Sequence, residues 1–296
     1  MDVAITGSSG LIGSELVTHL TQAGHNPVPV TRDGSAGIGW KPSEGAIDSA
    51  GFEGIDAVVH LAGAGIGDKR WSDARKKLIY DSRIDSTRLL ATTLAGLQKP
   101  PNVLLSGSAI GFYGERGDEE LDEASAPGDG FLTDVVVDWE KETKPAEHAG
   151  IRVAHLRTGI VLSPKGGALQ KLLPLFKLGA GGKMGAGNQW WSTISIDDEV
   201  AMIEWLLDAD VSGPVNLTCP EPTTNADFAD TLGDVLNRPS FLPVPKFGPK
   251  LVIGGQLAEN LLFTSARVYP RVAGEAGYEF LHPTLEASLR GVLGKG

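Results

Sequence analysis

Seven residues constrain this chain more than any others: Gly7-Ser8-Ser9-Gly10-Leu11-Ile12-Gly13, which follow the short apolar run Val3 to Thr6 and lead straight into a helical pattern. That pattern, from Leu11 to Ala23, places Leu11, Leu16, Val17 and Leu20 on one stripe and stops at Gly24. A strand, a glycine turn and a helix in direct succession bring backbone N–H groups and the positive end of a helix dipole to one point. Gly7 permits the tight turn, Gly10 removes a side chain that would block an approaching group, and Gly13 lets helix and strand pack closely. Glycines also make ordinary turns, but the flanking strand and helix supply the context in which such a loop cradles a pyrophosphate. The expected contacts are Gly7, Ser9, Gly10, Leu11, Ile12 and Gly13.

Similar apolar runs recur at Pro27 to Thr31, Ala57 to Ala62, Val103 to Ser106 and Val153 to Leu156, with a second helical stretch over Ser72 to Leu94. Strands alternating with helices predict βαβ units, hence an α/β fold with a doubly wound (Rossmann) parallel sheet. Beyond Ser163 the chain turns glycine-rich, then gives a strand at Ser192 to Ile196, a helix at Asp197 to Leu207 and a proline-punctuated tail. The expected organisation is a nucleotide-binding domain over residues 1–218 and a small mixed C-terminal lobe, on the substrate side, over residues 219–296.

Composition narrows the partners. With 26 Lys and Arg against 37 Asp and Glu, the net charge of −11 disfavours nucleic acid and anionic membranes. The single Cys219 excludes an internal disulfide, and the six histidines show no metal-ligand spacing, so no metal is expected. No signal-like or membrane-spanning stretch is present, and the expected setting is cytoplasmic. The partner so implied is a small-molecule substrate; oligomeric state is not encoded in any pattern here.

The second strand should end at Thr31 and deliver Arg32 to the adenosine ribose, where an NAD-binding chain presents a carboxylate to the 2′-hydroxyl. Arg32 points to a 2′-phosphate and so to NADP(H) as cofactor. The competing readings are a solvated arginine and a ribose contact from Asp33.

Taken with Val58-Val59-His60-Leu61-Ala62-Gly63, Ser106 to Gly114, Leu156-Arg157-Thr158-Gly159 and Gly185 to Trp191, the glycine loop resembles the extended short-chain dehydrogenase/reductase superfamily. Within it, the chain is similar to the atypical branch of NAD-dependent epimerase/dehydratase-like, or nucleoside-diphosphate-sugar epimerase-like, proteins. The tail from Phe241 to Leu293, with Glu259-Asn260-Leu261-Leu262 and Pro283-Thr284-Leu285-Glu286, resembles the small C-terminal domain of that branch. The resemblance implies that Leu61, Ala62 and Gly63 line the adenosine and nicotinamide-ribose side. It also implies that Leu156 and Arg157 lie near the nicotinamide, and that Ser108 hydrogen-bonds the reacting oxygen.

Two departures qualify what the resemblance implies. Superfamily enzymes carry a Tyr-x-x-x-Lys pair whose lysine depresses the tyrosine pKa; here Phe131 and Val135 stand at those positions, and neither can move a proton. The nearby substitutes are Tyr113, Asp134 and Asp138, of which Tyr113, in the same segment as Ser108, is preferred, with a packing aromatic as its plain alternative. Sugar-nucleotide enzymes also carry an arginine where this chain has Trp190 and Trp191, which would stack on a planar or apolar group, or serve as core, while Lys183 offers a cation on the preceding loop. The sequence therefore points to an NADP(H)-binding epimerase- or oxidoreductase-like enzyme acting on a small molecule. A non-catalytic NADP(H)-binding sensor that has lost the tyrosine and lysine is the alternative. Asp197 and Asp198 read as helix-capping carboxylates, His60 as a hydrogen-bonded strand residue, and the charged run Glu115 to Glu123 as a solvated loop or lid over the site.

Overall fold

A computed structural model of the chain describes residues 1–295. Eight strands form the main sheet: β1 (Asp2–Thr6), β2 (Asn26–Thr31), β3 (Ile38–Lys41), β4 (Ala46–Ile47), β5 (Ala57–His60), β6 (Val103–Ala109), β7 (Arg152–Thr158) and β8 (Gly213–Leu217). Their order is β8-β7-β6-β5-β1-β2-β3-β4, parallel throughout except for the terminal β3–β4 pair. The chain reverses direction across the sheet between β1 and β5, the switch point where doubly wound sheets open a crevice at their carboxyl edge. The expected α/β fold is the observed one.

Helix α1 (Leu11–Gln22) and helix α5 (Ile196–Asp208) cover one face, and α2 (Asp73–Ala95), α3 (Phe131–Lys141) and the short Lys144–His148 helix cover the other. The two faces have separate cores: Val3, Ile5, Val59 and Leu105 pack on Leu16, Leu20, Ile203 and Leu206, while Ala4, Val58 and Leu104 pack on Leu90, Leu94 and Ala146. This alternation along each strand is the period-two geometry of a sheet buried on both sides. Ser72 caps α2 by accepting a hydrogen bond from the Arg75 N–H, which fixes where that long crossover begins.

The second lobe draws on residues 160–191 as well as on the chain after residue 218. Helix α4 (Gly167–Lys177), α6 (Asn225–Leu236) and α8 (Leu285–Leu293) enclose Leu169, Leu173, Phe176, Trp191, Phe228, Leu232 and Leu289. A capping box between Thr224 and Asp227 starts α6. Helix α7 (Phe247–Ile253) lies between α6 and α8 in the chain and keeps Phe247, Leu251 and Val252 exposed.

Asp198 does more than cap. Ser195 is the N-cap of α5, and the Asp198 carboxylate accepts hydrogen bonds from Ser195 Oγ and from the backbone N–H groups of Leu281 and His282, tying the C-terminal tail to the sheet domain. The charged run Glu115 to Glu123 is mostly exposed, as a solvated loop is, and it is anchored at two points. Glu120–Leu121 pairs with Arg267–Val268, and the Glu115 carboxylate accepts from the Ser265 N–H.

Candidate functional site

Gly7 sits at φ +70°, and a Cβ there would stand 2.9 Å from the Leu61 carbonyl carbon, so the turn requires glycine. At Gly13 a Cβ would fall 2.2 Å from the Gly7 carbonyl oxygen, which is the close helix–strand approach the spacing implied. Gly10 differs: it has room for a side chain apart from one contact at 3.2 Å, and its bare surface faces outward. No side chain caps α1, whose N-cap is Gly10, so the first N–H groups of the helix point free into the crevice.

That crevice deepens into a cavity of about 470 Å³. Gly7, Gly10, Ile12 and Leu61 form one end; Gly107, Ser108 and Thr158, at the carboxyl ends of β6 and β7, form its floor. Leu132, Val135 and Trp139 from α3 and Trp190, Trp191 and Leu261 from the second lobe close it with apolar surface. The position where a lysine would stand, Val135, is thus in the cavity wall, and Phe131 packs edge-on against Trp71.

Directly after β2, Arg32 is exposed and makes no ion pair among the described residues. The neighbouring Asp33 carboxylate instead accepts hydrogen bonds from Thr31 Oγ1 and from the Ser35 N–H and hydroxyl, and the Ser35 backbone bond is the main cause of its lowered pKa. All three bonds fall on Asp33 Oδ1, so Oδ2 stays open beside the free Arg32 guanidinium.

Several expected residues lie elsewhere. Tyr113 is wholly buried outside the cavity; its hydroxyl donates to Asn216 Oδ1 at 2.7 Å and accepts from Arg157 Nη1 at 3.1 Å. Burial pushes its pKa up to about 12, the reverse of what a general base needs. Tyr113 is therefore a packing residue, and its reading as a catalytic group is corrected. Arg157 is also buried behind the cavity floor, held by Glu140 and stacked 3.5 Å from the Phe112 ring centre, so it does not line the cavity. Leu156 belongs to the sheet core. Lys183 is exposed on the outer surface of its loop, where its carbonyl accepts from the Val244 N–H, and it takes no part in the cavity.

Ser108, Trp190 and Trp191 do reach the cavity. The Ser108 hydroxyl donates to Glu140 Oε1 at 2.6 Å, leaving its oxygen lone pairs toward the open space. The Trp190 indole donates to Asp118 and its ring lies under Arg267, while Trp191 donates to the Leu262 carbonyl, so both walls are rigidly held. His60 is buried between Thr6 and Thr87, and burial pulls its pKa down to about 3, in keeping with a neutral strand residue.

Sequence reasoning missed two groups. Arg83, in the middle of α2, is 8% exposed and lines the cavity. Glu199, in the first turn of α5, is completely buried behind Thr158, whose hydroxyl donates to Glu199 Oε1 at 2.8 Å. Burial raises the Glu199 carboxyl to about pKa 8, and its other oxygen has no partner. Adjacent acidic residues at a helix start had masked Glu199, and an arginine in a long polar helix reads as solvated.

A glycine loop at the switch point of a parallel sheet, an uncapped helix end and a cavity along the strands' carboxyl edges define a Rossmann-class protein. The sequence profile of the NAD dependent epimerase/dehydratase family matches residues 3–218, and that of the "Domain of unknown function (DUF1731)" matches residues 244–292. The chain belongs to the NAD dependent epimerase/dehydratase family. It is 40% identical to epimerase family protein Mb2239 of Mycobacterium bovis, over 97% of this chain and 96% of that protein. Human epimerase family protein SDR39U1 (isoform 2), crystallised with NADPH, superposes with a TM-score of 0.90 at 32% identity over 99% of each chain. A nucleoside-diphosphate sugar epimerase from Corynebacterium glutamicum gives 0.80 at 36% identity, over 99% of this chain and 58% of that one.

Proposed function

We propose that the chain is an NADP(H)-dependent enzyme of oxidoreductase or epimerase type, whose small substrate lies in the cavity beyond the nicotinamide. The observation that carries this reading is continuity: one cavity runs from the bare Gly10 and the open end of α1 to the carboxyl ends of β6 and β7. The NADPH bound by the human relative supports the cofactor, and the exposed Arg32, which has no ion-pair partner among the described residues, supports the phosphorylated form.

The residues fit the cofactor as follows. The Gly10–Gly13 backbone and α1 would take the pyrophosphate, Arg32 the 2′-phosphate, and Leu61 to Gly63 the ribose side. Bound NADP(H) supplies or accepts a hydride. The chain's own part is to orient the substrate, exclude water and move a proton. Apolar walls from α3 and the second lobe do the second. Ser108, its proton committed to Glu140, accepts a hydrogen bond from the ligand. Thr158, whose hydroxyl donates to Glu199 Oε1, is the group to replace the absent phenol: on turning to the ligand it would give its proton to the ligand oxygen and take in its place the proton that the Glu199 carboxyl keeps at neutral pH.

One observation favours the non-catalytic reading. The hydroxyls of Ser108, Thr158, Ser192 and Thr264, all lining the cavity, donate to protein acceptors. The two are separated by incubating the protein with NADPH and a panel of aldehydes, ketones, quinones and nucleotide sugars, following absorbance and product. Turnover that falls by about 10²- to 10⁴-fold in Glu199→Gln or Ser108→Ala supports the enzyme. Tight NADPH binding without turnover, and a protein partner retained only with NADPH, supports the sensor.

A further inference from the structure

Arg83 is the one charged side chain that lines the cavity among the described residues, and no carboxylate pairs with it. Its Nη1 donates to the Ala64 carbonyl at 3.0 Å and the Ile79 carbonyl at 3.1 Å. The guanidinium lies 5.0 Å from the Trp139 ring centre, and a Cβ on Gly63 would stand 3.2 Å from Arg83 Cζ. Two neutral carbonyls and an aromatic face hold the group in place without neutralising it. Burying an unpaired charge is costly, and a chain that does so at the wall of an open cavity leaves the counterion to a ligand. Burial, helped by the positive charge of Arg75 on the same helix, holds the Arg83 pKa down to about 10, so Arg75 adds charge rather than compensating.

The position of Arg83 identifies which ligand group it meets. The glycine loop opens α1, on the face of the sheet that α1 and α5 cover, whereas Arg83 enters from α2 on the opposite face, stacked on Trp139 of α3. A pyrophosphate at the α1 end is met by that helix's N–H groups and lies across the sheet edge from the guanidinium. The rest of the cavity wall offers no second cation: Leu132, Val135, Trp191 and Leu261 are apolar, and the hydroxyls of Ser108, Thr158, Ser192 and Thr264 already donate to protein acceptors. One guanidinium in apolar surroundings matches a single negative charge on a hydrophobic body; a phosphate dianion would need further donors.

We propose that Arg83 binds the carboxylate of a largely apolar organic acid held in this cavity. This deepens the reading of the cavity as the substrate site and rests on it. The guanidinium anchors the acid at the α2 wall while Trp139 and Val135 cover its hydrocarbon part.

The test is calorimetric titration of cinnamate and of its neutral analogue cinnamamide into the protein, alone and saturated with NADPH, with NADPH affinity measured separately by fluorescence. Cinnamate should bind at least about tenfold more tightly than the amide. Arg83→Gln should remove that preference, and Arg83→Lys should keep part of it, both with NADPH affinity within about twofold of the parent. Circular dichroism and melting identify a variant that has lost its fold, in which case the parent's acid-over-amide preference decides alone. Equal binding of acid and amide to the parent overturns the proposal. So does an Arg83→Gln variant whose main loss is NADPH affinity, because the anion would then be the cofactor's. Absence of NADPH binding to the parent would count against the cofactor assignment instead, and the titrations without NADPH would still decide the role of Arg83.

Discussion

Glu140 grips Arg157 with both carboxylate oxygens, at 2.9 Å to Nε and 3.0 Å to Nη2, in a pair almost closed to solvent directly beneath Ser108. Burial alone would raise the Glu140 pKa; the hydrogen bonds and charge of Arg157 outweigh it and leave the carboxyl below its ordinary value. Bidentate pairing of this kind fixes orientation as well as charge, so the pair sets the position of the Ser108 hydroxyl through Oε1. Arg157 is thus a support for the cavity floor and not a contact of the nicotinamide.

Removing one partner of such a pair strands the other. Arg157→Met should cost about 3–5 kcal/mol of stability, by the usual penalty for an uncompensated buried charge. NADPH affinity of the folded fraction should change little. Chemical denaturation and fluorescence titration of the same preparation would separate the two effects.

Tyr113→Phe leaves Asn216 Oδ1 and one Arg157 N–H without their buried partner. A loss of about 1–3 kcal/mol in unfolding free energy is expected, with turnover on any identified substrate reduced by less than about threefold. A hundredfold loss of turnover in a stable variant would return Tyr113 to the mechanism.

The glycines of the loop should behave differently from one another. Gly10→Val meets only one close contact and leaves the core untouched, so it should abolish NADPH binding with near-native circular dichroism. Gly13→Val drives a side chain into the Gly7 carbonyl and should fail as a fold. Retained affinity in Gly10→Val would reduce the loop to a turn.

The difference between these glycines was only partly legible beforehand, and the reason is general to the chain. The loop, β1 and α1 are contiguous, so local pattern specified them. Helix α3 was hidden because Val135, Val136 and Val137 mimic a strand, and β3 and β8 because Gly39 and Pro214 interrupt their runs. Ser108 and the tryptophans, singled out through the family resemblance, do line the cavity because they lie at the end of β6 and on the loop that closes it. Arg83 and Glu199 gain meaning only from burial, which depends on helices packed across the sheet, and Tyr113 and Arg157 lost their expected roles for the same reason.

Glu199 gives the stability of the protein a distinct pH dependence. Its folded pKa, about 8, lies above the ordinary glutamate value of 4.5. Below the lower value both states hold the proton and burial carries no ionisation cost. Between the two, the folded protein keeps a proton that the unfolded chain releases, so stability declines with rising pH and levels off above about 8. Glu199→Gln removes this slope. Its melting temperature should gain on the parent between pH 5 and pH 9, by on the order of 5 °C. Parallel melting curves across that range would show that the carboxyl is not held neutral.

Whether this crevice holds NADP(H), selected by Arg32, is read out by nucleotide fluorescence titration. NADPH should bind the parent about ten- to a hundredfold more tightly than NADH, a charge-assisted contact of about 1.5–3 kcal/mol, and Arg32→Ala should erase most of that gap while leaving NADH affinity unchanged. Equal affinities for the two nucleotides in the parent protein, or a preference that survives Arg32→Ala, would show that Arg32 does not select the phosphorylated cofactor.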